Sequence, residues 1–153
     1  MKTLEPIIAA HEFFAGMDPS GIRELVGCAS NLRVEAGAYL YREGEEAQRL
    51  YLIRQGRVAL EIFAPQHPPT VVSTFEAGEA VGWSWLQPPF RWHTDARAVT
   101  AVRAIALDAP CLRAKCDRDP ALGYALWQRF SSEIEERLHA TRLQLLDVYA
   151  PRT

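Results

Sequence analysis

The segment EAGEAVGWSWLQPPFRWHTDAR, from Glu76 to Arg97, gathers small, aromatic and basic residues around a tight turn. It holds three of the four tryptophans of the chain, two adjacent prolines and two arginines. A planar guanidinium can donate two parallel hydrogen bonds to an anion, and an indole ring can stack on a flat molecule. The segment is therefore predicted to form a small-molecule pocket for an anionic ligand.

The aromatic and basic residues of this segment divide into core and pocket candidates. Trp83 and Trp85 are better explained as core residues, whereas Trp92 follows the proline-rich turn and is the better pocket candidate. Arg91 fits either a ligand contact or a surface salt bridge, and both interpretations stay open. Arg97 is a second positive charge nearby, but the alternating pattern leaves its face undetermined.

The composition of the chain is that of a globular protein with one domain, residues 1–153. Hydrophobic residues make up 48%, charged residues 24%, and the net charge is −2. This charge argues against a strongly electrostatic nucleic-acid binder. Neither a membrane-spanning apolar run nor a signal-peptide apolar region is visible, so the sequence predicts a cytoplasmic protein without membrane or direct nucleic-acid contacts.

The sequence gives no support to catalytic or metal chemistry. The cysteines, Cys28, Cys111 and Cys116, are odd in number and lack metal-ligand spacing. Free thiols in a reducing compartment are therefore predicted, and a disulfide framework is not. We find no nucleophile–base pair and no carboxylate pair at motif spacing, so the protein is not expected to be an enzyme.

Helical patterns flank a central region of strands. Residues 1–29 are predicted to be helical, with Asp18 as an N-cap and Pro19 in the first turn of a short helix. Residues 30–108 show short apolar or alternating runs, which predict an antiparallel barrel or jelly roll. These runs are separated by glycines: Gly37, Gly44, Gly56 and Gly78. The stretch IRQGRV predicts a hairpin in which Gly56 has a positive φ.

The last region, residues 109–149, is predicted to be helical. APCLRAKCDRD predicts one or two turns, and a long helix follows with Asp119 as its cap and Pro120 in its first turn. Its apolar residues recur at helical spacing: Leu122, Leu126, Phe130, Ile134, Leu138 and Leu145. A small barrel covers only part of such a helix, so residues 120–148 are predicted to pair with a second copy. The alternative is a helix that packs wholly on its own barrel.

This order of elements resembles the cyclic-nucleotide-binding domain of Crp/Fnr-type regulators. The resemblance covers nearly the whole chain. It rests on FFAGMDPSGIRELV for the leading helices, AGAYLYREGEEAQRLYLIRQGRVALEI for the first strands, FEAGEAVGWSWL for the start of the phosphate-binding cassette, and ARAVTAVRAIALD for the following strand pair. It implies a mainly β fold, a double-stranded β-helix or jelly-roll barrel with short N-terminal helices and a long C-terminal helix.

The resemblance also implies a ligand set. A short helix after Gly78 and Glu79 would offer its backbone N–H groups to a cyclic phosphate, and Glu79 would bind the ribose 2′-hydroxyl. An arginine later in the cassette would pair with the phosphate. The residues expected to bind ligand are Gly78, Glu79, Ala80, Val81, Arg91, Trp92, His93 and Thr94.

The position of that arginine is ambiguous. Counting back from RAVTAVRAIALD places Trp92 at the arginine position and His93 where a small residue is usual. A one-residue bulge would bring Arg91 into register, and Arg97 is the other candidate. His93 is also of a type that ligates haem, but no second positioned ligand accompanies it.

The function implied is a stand-alone sensor that binds cAMP, cGMP or a similar anion, needs no cofactor and signals through its C-terminal helix. Crp/Fnr regulators continue into a helix-turn-helix domain, whereas this sequence ends at LLDVYAPRT. A protein partner or the dimer interface is therefore expected to receive the signal. The alternative is a fold that has lost nucleotide binding and acts as an interaction or dimerisation module.

Overall fold

The short apolar runs of the central region form eight strands in the described part of the chain. The computed structural model describes residues 3–149, so the terminal APRT lies outside it. The strands are β1 (Ala29–Val34), β2 (Tyr39–Tyr41), β3 (Arg49–Gln55), β4 (Val58–Ile62), β5 (Thr70–Phe75), β6 (Ala80–Val81), β7 (Asp95–Ala98) and β8 (Val102–Asp108). They build two antiparallel sheets, in the orders β1-β8-β3-β6 and β2-β7-β4-β5. The predicted mainly β architecture is confirmed.

One hydrophobic core joins the two sheets. It includes Leu50, Leu52 and Ile105 from the first sheet and Val58 and Phe75 from the second, all completely buried. Burial of each such side chain contributes about 1.5–3 kcal/mol before conformational entropy is subtracted. The sheets are therefore held together by their apolar faces.

The segment around Gly56 connects the two sheets and does not form a hairpin. β3 pairs with β6 and β8, whereas β4 pairs with β5 and β7. The predicted hairpin is therefore wrong, although Gly56 has the expected positive φ, +99°. A Cβ at this position would lie 2.3 Å from the carbonyl oxygen of Ala101, so both the backbone angle and the space require glycine.

Four α-helices flank the sheets in the described residues: α1 (Glu5–Ala10), α2 (Pro19–Val26), α3 (Ala109–Arg118) and α4 (Pro120–Tyr149). Two short 3₁₀ turns lie at Glu12–Phe14 and Ser84–Leu86. Asp18 caps α2 by accepting a 2.8 Å hydrogen bond from the Ser20 amide. Asp108 caps α3 in the same way, and α3 is ten residues long, which is longer than the predicted one or two turns.

A disulfide joins Cys28, just after α2, to Cys111 in the first turn of α3. The prediction of three free thiols is therefore wrong, and only Cys116 is a free thiol among the described residues. The two bonded residues are 83 apart in sequence, yet their Cα atoms lie 5.7 Å apart. Pairing at this separation depends on the folded sheets, which cysteine spacing does not report. The compartment stays a prediction.

Helix α4 changes character along its length. Its first half packs on the domain through the buried residues Leu122, Leu126 and Phe130. Its second half exposes large apolar side chains: Leu138, Leu143, Leu145, Leu146, Val148 and Tyr149. The domain therefore covers only the first part of the helix.

Two features are absent from residues 3–149. None of the helices there combines the length and apolar character needed to cross a bilayer. Within the same range, no group of three or more His, Cys, Asp or Glu side chains is arranged to hold a metal ion.

Candidate ligand-binding site

The cassette begins with a strand, and its short helix comes later than expected. β6 follows Gly78 and Glu79 directly, whereas the 3₁₀ turn Ser84–Leu86 follows Gly82 and Trp83. The prediction of a helix immediately after Gly78 and Glu79 is therefore wrong in position, because the helical turn begins about one turn later in the sequence. Gly78 and Gly82 both have a positive φ, +91° and +100°, so either glycine satisfies the same local pattern.

Glu79 is engaged in contacts that hold the domain together. One carboxylate oxygen accepts a 2.8 Å hydrogen bond from the Glu76 amide, which closes the turn before β6. The other lies 2.6 Å from the guanidinium of Arg137 on α4. Both oxygens therefore have protein partners, and neither faces the cavities described below.

Arg137 forms what we call the Arg137 latch between α4 and the second sheet. Besides Glu79, its guanidinium donates to the Ser73 hydroxyl at 2.6 Å and to the Thr74 carbonyl at 2.7 Å. It also pairs with Glu133 on its own helix at 3.0 Å. Its Cζ lies 3.7 Å from the ring centroid of Phe75, which adds a cation–π contact.

Arg91 is directed to a neighbouring loop. Its Nη1 donates a 2.8 Å hydrogen bond to the carbonyl of Gly44, and the residue is exposed. The flanking backbone is fixed to the same loop, since the Ala47 amide donates to Phe90 and the Trp92 amide donates to Glu45. These hydrogen bonds set the register of the cassette and turn Trp92, rather than Arg91, toward the barrel.

The second candidate arginine, Arg97, also has a protein partner. Its Nε lies 2.7 Å from a carboxylate oxygen of Glu61, whose side chain is almost fully buried. Arg97 therefore compensates a buried charge on β4 and does not line either cavity described below.

Trp92 packs inside the barrel. It is 4% exposed, and its ring stacks on Tyr41 with centroids 3.8 Å apart and planes 10° apart. A Cβ on Gly82 would lie 2.6 Å from Cη2 of this indole, so glycine is needed for the close approach. Burial raises the pKa of the Tyr41 phenol far above its ordinary value, so the phenol stays neutral in a largely apolar environment.

Trp92 borders an inner cavity, which shares part of its lining with an outer cleft, and it also borders a separate open groove whose lining includes Glu45, Glu46 and Arg49. The inner cavity has a volume of ≈ 70 Å³ and is lined by Tyr41, Leu60, Gly82, Trp92 and Thr94. The outer cleft has a volume of ≈ 260 Å³ and is lined by Leu86, Gln87, Pro88, Trp127 and Ile134. Trp83, Ser84 and His93 line both. The outer cleft therefore lies between the cassette and α4.

The structure brings only part of the predicted ligand set together. Trp92, His93 and Thr94 line the inner cavity. Gly78, Glu79 and Arg91 line neither cavity, and Ala80 and Val81 are buried strand residues paired with β3. Their roles in ligand binding stay predictions.

Sequence reasoning did not assign Gly82, Ser84 and Trp127 to the site. The signal for Gly82 was its place before WSWL, where a second glycine offered an alternative register. Trp83, interpreted as core, borders both cavities, whereas Trp85 is 1% exposed and lies in the core as predicted. Trp127 is distant in sequence, and no local signal connects it to the cassette.

Comparison with known proteins finds one family and several similar structures. The family described as "Cyclic nucleotide-binding domain" matches residues 31–119. A CRP-like cAMP-activated global transcriptional regulator of Mycobacterium tuberculosis is 26% identical over 145 residues, which cover 95% of this chain and 63% of the relative. The chain thus spans less than two thirds of that regulator.

Two solved structures illustrate the shared fold. A cyclic nucleotide-binding domain from Methylobacillus flagellatus superposes with a TM-score of 0.83 at 16% identity, covering 99% of this chain and 89% of the other. The second is the regulatory subunit of a cAMP-independent protein kinase A from Trypanosoma brucei, in a triply substituted variant bound to cAMP. It gives a TM-score of 0.73 at 22% identity and covers 94% of this chain and 50% of that one.

Proposed function

The chain belongs to the cyclic nucleotide-binding domain family, and we propose that it is a member that does not bind cyclic nucleotides and acts as a non-catalytic dimerisation module. The observation that carries the proposal is the position of Trp92. Its indole is stacked on Tyr41 inside the barrel, where the resemblance places the phosphate-binding arginine. The alternative function, a sensor that binds cAMP or cGMP, stays a prediction. The titration described below distinguishes this sensor from a module that binds no cyclic nucleotide.

The charges around the cavities support this choice. Among the residues that the structure describes, no Lys, Arg, Asp or Glu lines the inner cavity or the outer cleft. A cyclic phosphate placed there would lose its hydration without gaining a guanidinium or ammonium partner, which is unfavourable. Arg91, Arg97 and Arg137 each form contacts with other parts of the protein.

The Trypanosoma brucei protein offers a parallel. It is described as cAMP-independent, and its cAMP-bound form carries three substitutions, one of them threonine to arginine. Within this fold, then, independence from cAMP has a precedent, and a variant that introduces arginine binds cAMP. For the present chain, the corresponding proposal is that an indole in place of the guanidinium excludes the nucleotide.

Calorimetric titration tests this proposal. We expect no saturable heat from cAMP or cGMP up to about 1 mM, which corresponds to a binding free energy weaker than about 4 kcal/mol. Glu79→Ala and Arg91→Ala serve as comparison variants and should behave like the wild type. Micromolar binding by the wild type, weakened by both substitutions, would overturn the proposal and support the anion pocket.

The dimerisation part of the proposal rests on the exposed stripe of α4. Beyond the outer cleft, residues at alternating spacings of three and four follow one side of the helix: Leu138, Thr141, Leu145 and Val148. This is the spacing of helices that pair with a copy of themselves. Leu138 and Leu145 are 46% and 49% exposed, so the domain itself does not cover the stripe there. A second copy of the same helix offers the matching surface.

Charged residues in this stripe should separate the two copies. We expect wild-type protein to sediment as a dimer and the double variant Leu138→Glu/Leu145→Glu as a monomer, since it would bury four carboxylates in the interface. Ile62→Glu is the control, because Ile62 is 41% exposed but lies on β4. A monomeric wild type, or a variant that remains dimeric, would contradict pairing through α4.

A further inference from the structure

We propose that the inner cavity and the outer cleft together form a binding site for an uncharged, flat aromatic molecule. The proposal goes beyond dimerisation and does not depend on it. It also differs from the cyclic-nucleotide prediction in the class of ligand, because it requires a neutral ring where that prediction requires an anion.

The two cavities are continuous in their lining. Trp83, Ser84 and His93 border both, so a molecule in the outer cleft contacts residues that also line the inner cavity. The outer cleft alone, at ≈ 260 Å³, is larger than an apolar protein cavity of about 150 Å³ that accommodates benzene. There is therefore room for a ligand of two or more fused or linked rings.

The lining favours a flat ring. Three indoles, those of Trp83, Trp92 and Trp127, and the phenol of Tyr41 border the combined space. Leu60, Leu86 and Ile134 supply aliphatic surface. Aromatic side chains bury large apolar areas and favour offset-stacked or edge-to-face contacts with other rings.

The lining also holds polar side chains that can orient such a ring. No side-chain hydrogen bond among the described residues uses Ser84, His93 or Gln87, so their polar atoms remain available to a ligand. A few polar groups in a mainly apolar pocket are typical of small-molecule sites. Because no Lys, Arg, Asp or Glu among the described residues lines either cavity, no permanently charged side chain there compensates a full negative charge on a ligand.

Because of where the site lies, ligand binding would affect the position of α4. Trp83 and Ser84 belong to the cassette, whereas Trp127 and Ile134 belong to α4. A ligand in the outer cleft would therefore contact the barrel domain and the long helix at the same time. Its binding energy would favour the docked position of α4 over any position that opens the cleft.

A matched pair of fluorescent probes tests the proposal. N-phenyl-1-naphthylamine is uncharged, and 8-anilinonaphthalene-1-sulfonate has the same ring system with one negative charge. We expect saturable fluorescence of the neutral probe, with energy transfer from tryptophan, and at least tenfold tighter binding than for the sulfonate. Absence of saturable binding, or equal or tighter binding of the sulfonate, would overturn the proposal.

Matched variants locate the probe. Trp127→Ala should weaken binding of the neutral probe about tenfold, whereas Tyr124→Ala, an exposed aromatic residue on the same helix outside the cleft, should leave it unchanged. Ser84→Phe should abolish binding, because Ser84 lines both cavities and a phenyl ring there would occupy space in them. If Ser84→Phe fails to fold, the comparison of Trp127→Ala with Tyr124→Ala still locates the probe. Equal affinities of these two variants for the neutral probe would show that it binds elsewhere.

Discussion

Reducing the disulfide between Cys28 and Cys111 is expected to lower the free energy of unfolding by about 4 kcal/mol. The bond connects residues 83 apart, and a cross-link over a long loop removes many conformations from the unfolded chain. It also fixes the first turn of α3 beside β1, at the base of the two C-terminal helices. Urea unfolding followed by circular dichroism, with and without a reducing agent, measures the difference.

The third cysteine provides the control for this experiment. Cys28→Ser/Cys111→Ser should lose as much stability as reduction does, and should then be insensitive to the reducing agent. Cys116→Ser should remain close to wild type, because Cys116 is a free thiol and only half-buried. A wild-type midpoint that does not change on reduction would show that the bond does not form in solution.

Replacing Phe130 by alanine is expected to cost about 3–5 kcal/mol, the usual range for a fully buried phenylalanine. Phe130 is completely buried, and its ring centroid lies 4.8 Å from that of Phe13 and 5.7 Å from that of Trp85. It thus anchors α4 to the N-terminal 3₁₀ turn and to the cassette. The loss is measured as the shift of the urea unfolding curve.

Trp127→Ala is the matched comparison for Phe130→Ala. Trp127 lies one turn earlier on α4, but it is 41% exposed, so its removal should cost less than about 1 kcal/mol. Similar losses from the two variants would mean that α4 is not anchored through Phe130. The same Trp127 variant is then stable enough for the probe experiment described above.

The fold could be predicted wherever its determinants are local. Strand periodicity, glycines at turns and the Asp–Pro pairs at the starts of α2 and α4 are read within a few residues, and the structure has those elements. Partner choice is not local. The segment through Gly56 has the composition of a hairpin, yet β3 and β4 belong to different sheets. The Cys28–Cys111 bond escaped prediction for the same reason.

The sequence predicted which segment forms the site, but not which residues of that segment face the cavities. Two glycines four residues apart, Gly78 and Gly82, fit the same turn requirement, and the sequence offers no means of choosing between them. The orientations of Arg91 and Trp92 depend on backbone hydrogen bonds to residues 44–47, which are distant in sequence. The contribution of Trp127 depends on how α4 docks, which is a property of the whole fold.

The Arg137 latch contains the last side-chain hydrogen bonds and ion pair from α4 to the barrel in the described residues, and this determines how the rest of the helix can move. Beyond it, residues 138–149 extend for about 18 Å at 1.5 Å per residue. If this part pivots at Arg137 as a rigid lever, a tilt of about 10° displaces its tip by about 3 Å. A rearrangement at the end of β5 too small to alter the sheet would therefore be amplified at Tyr149 into a displacement about as large as an atom.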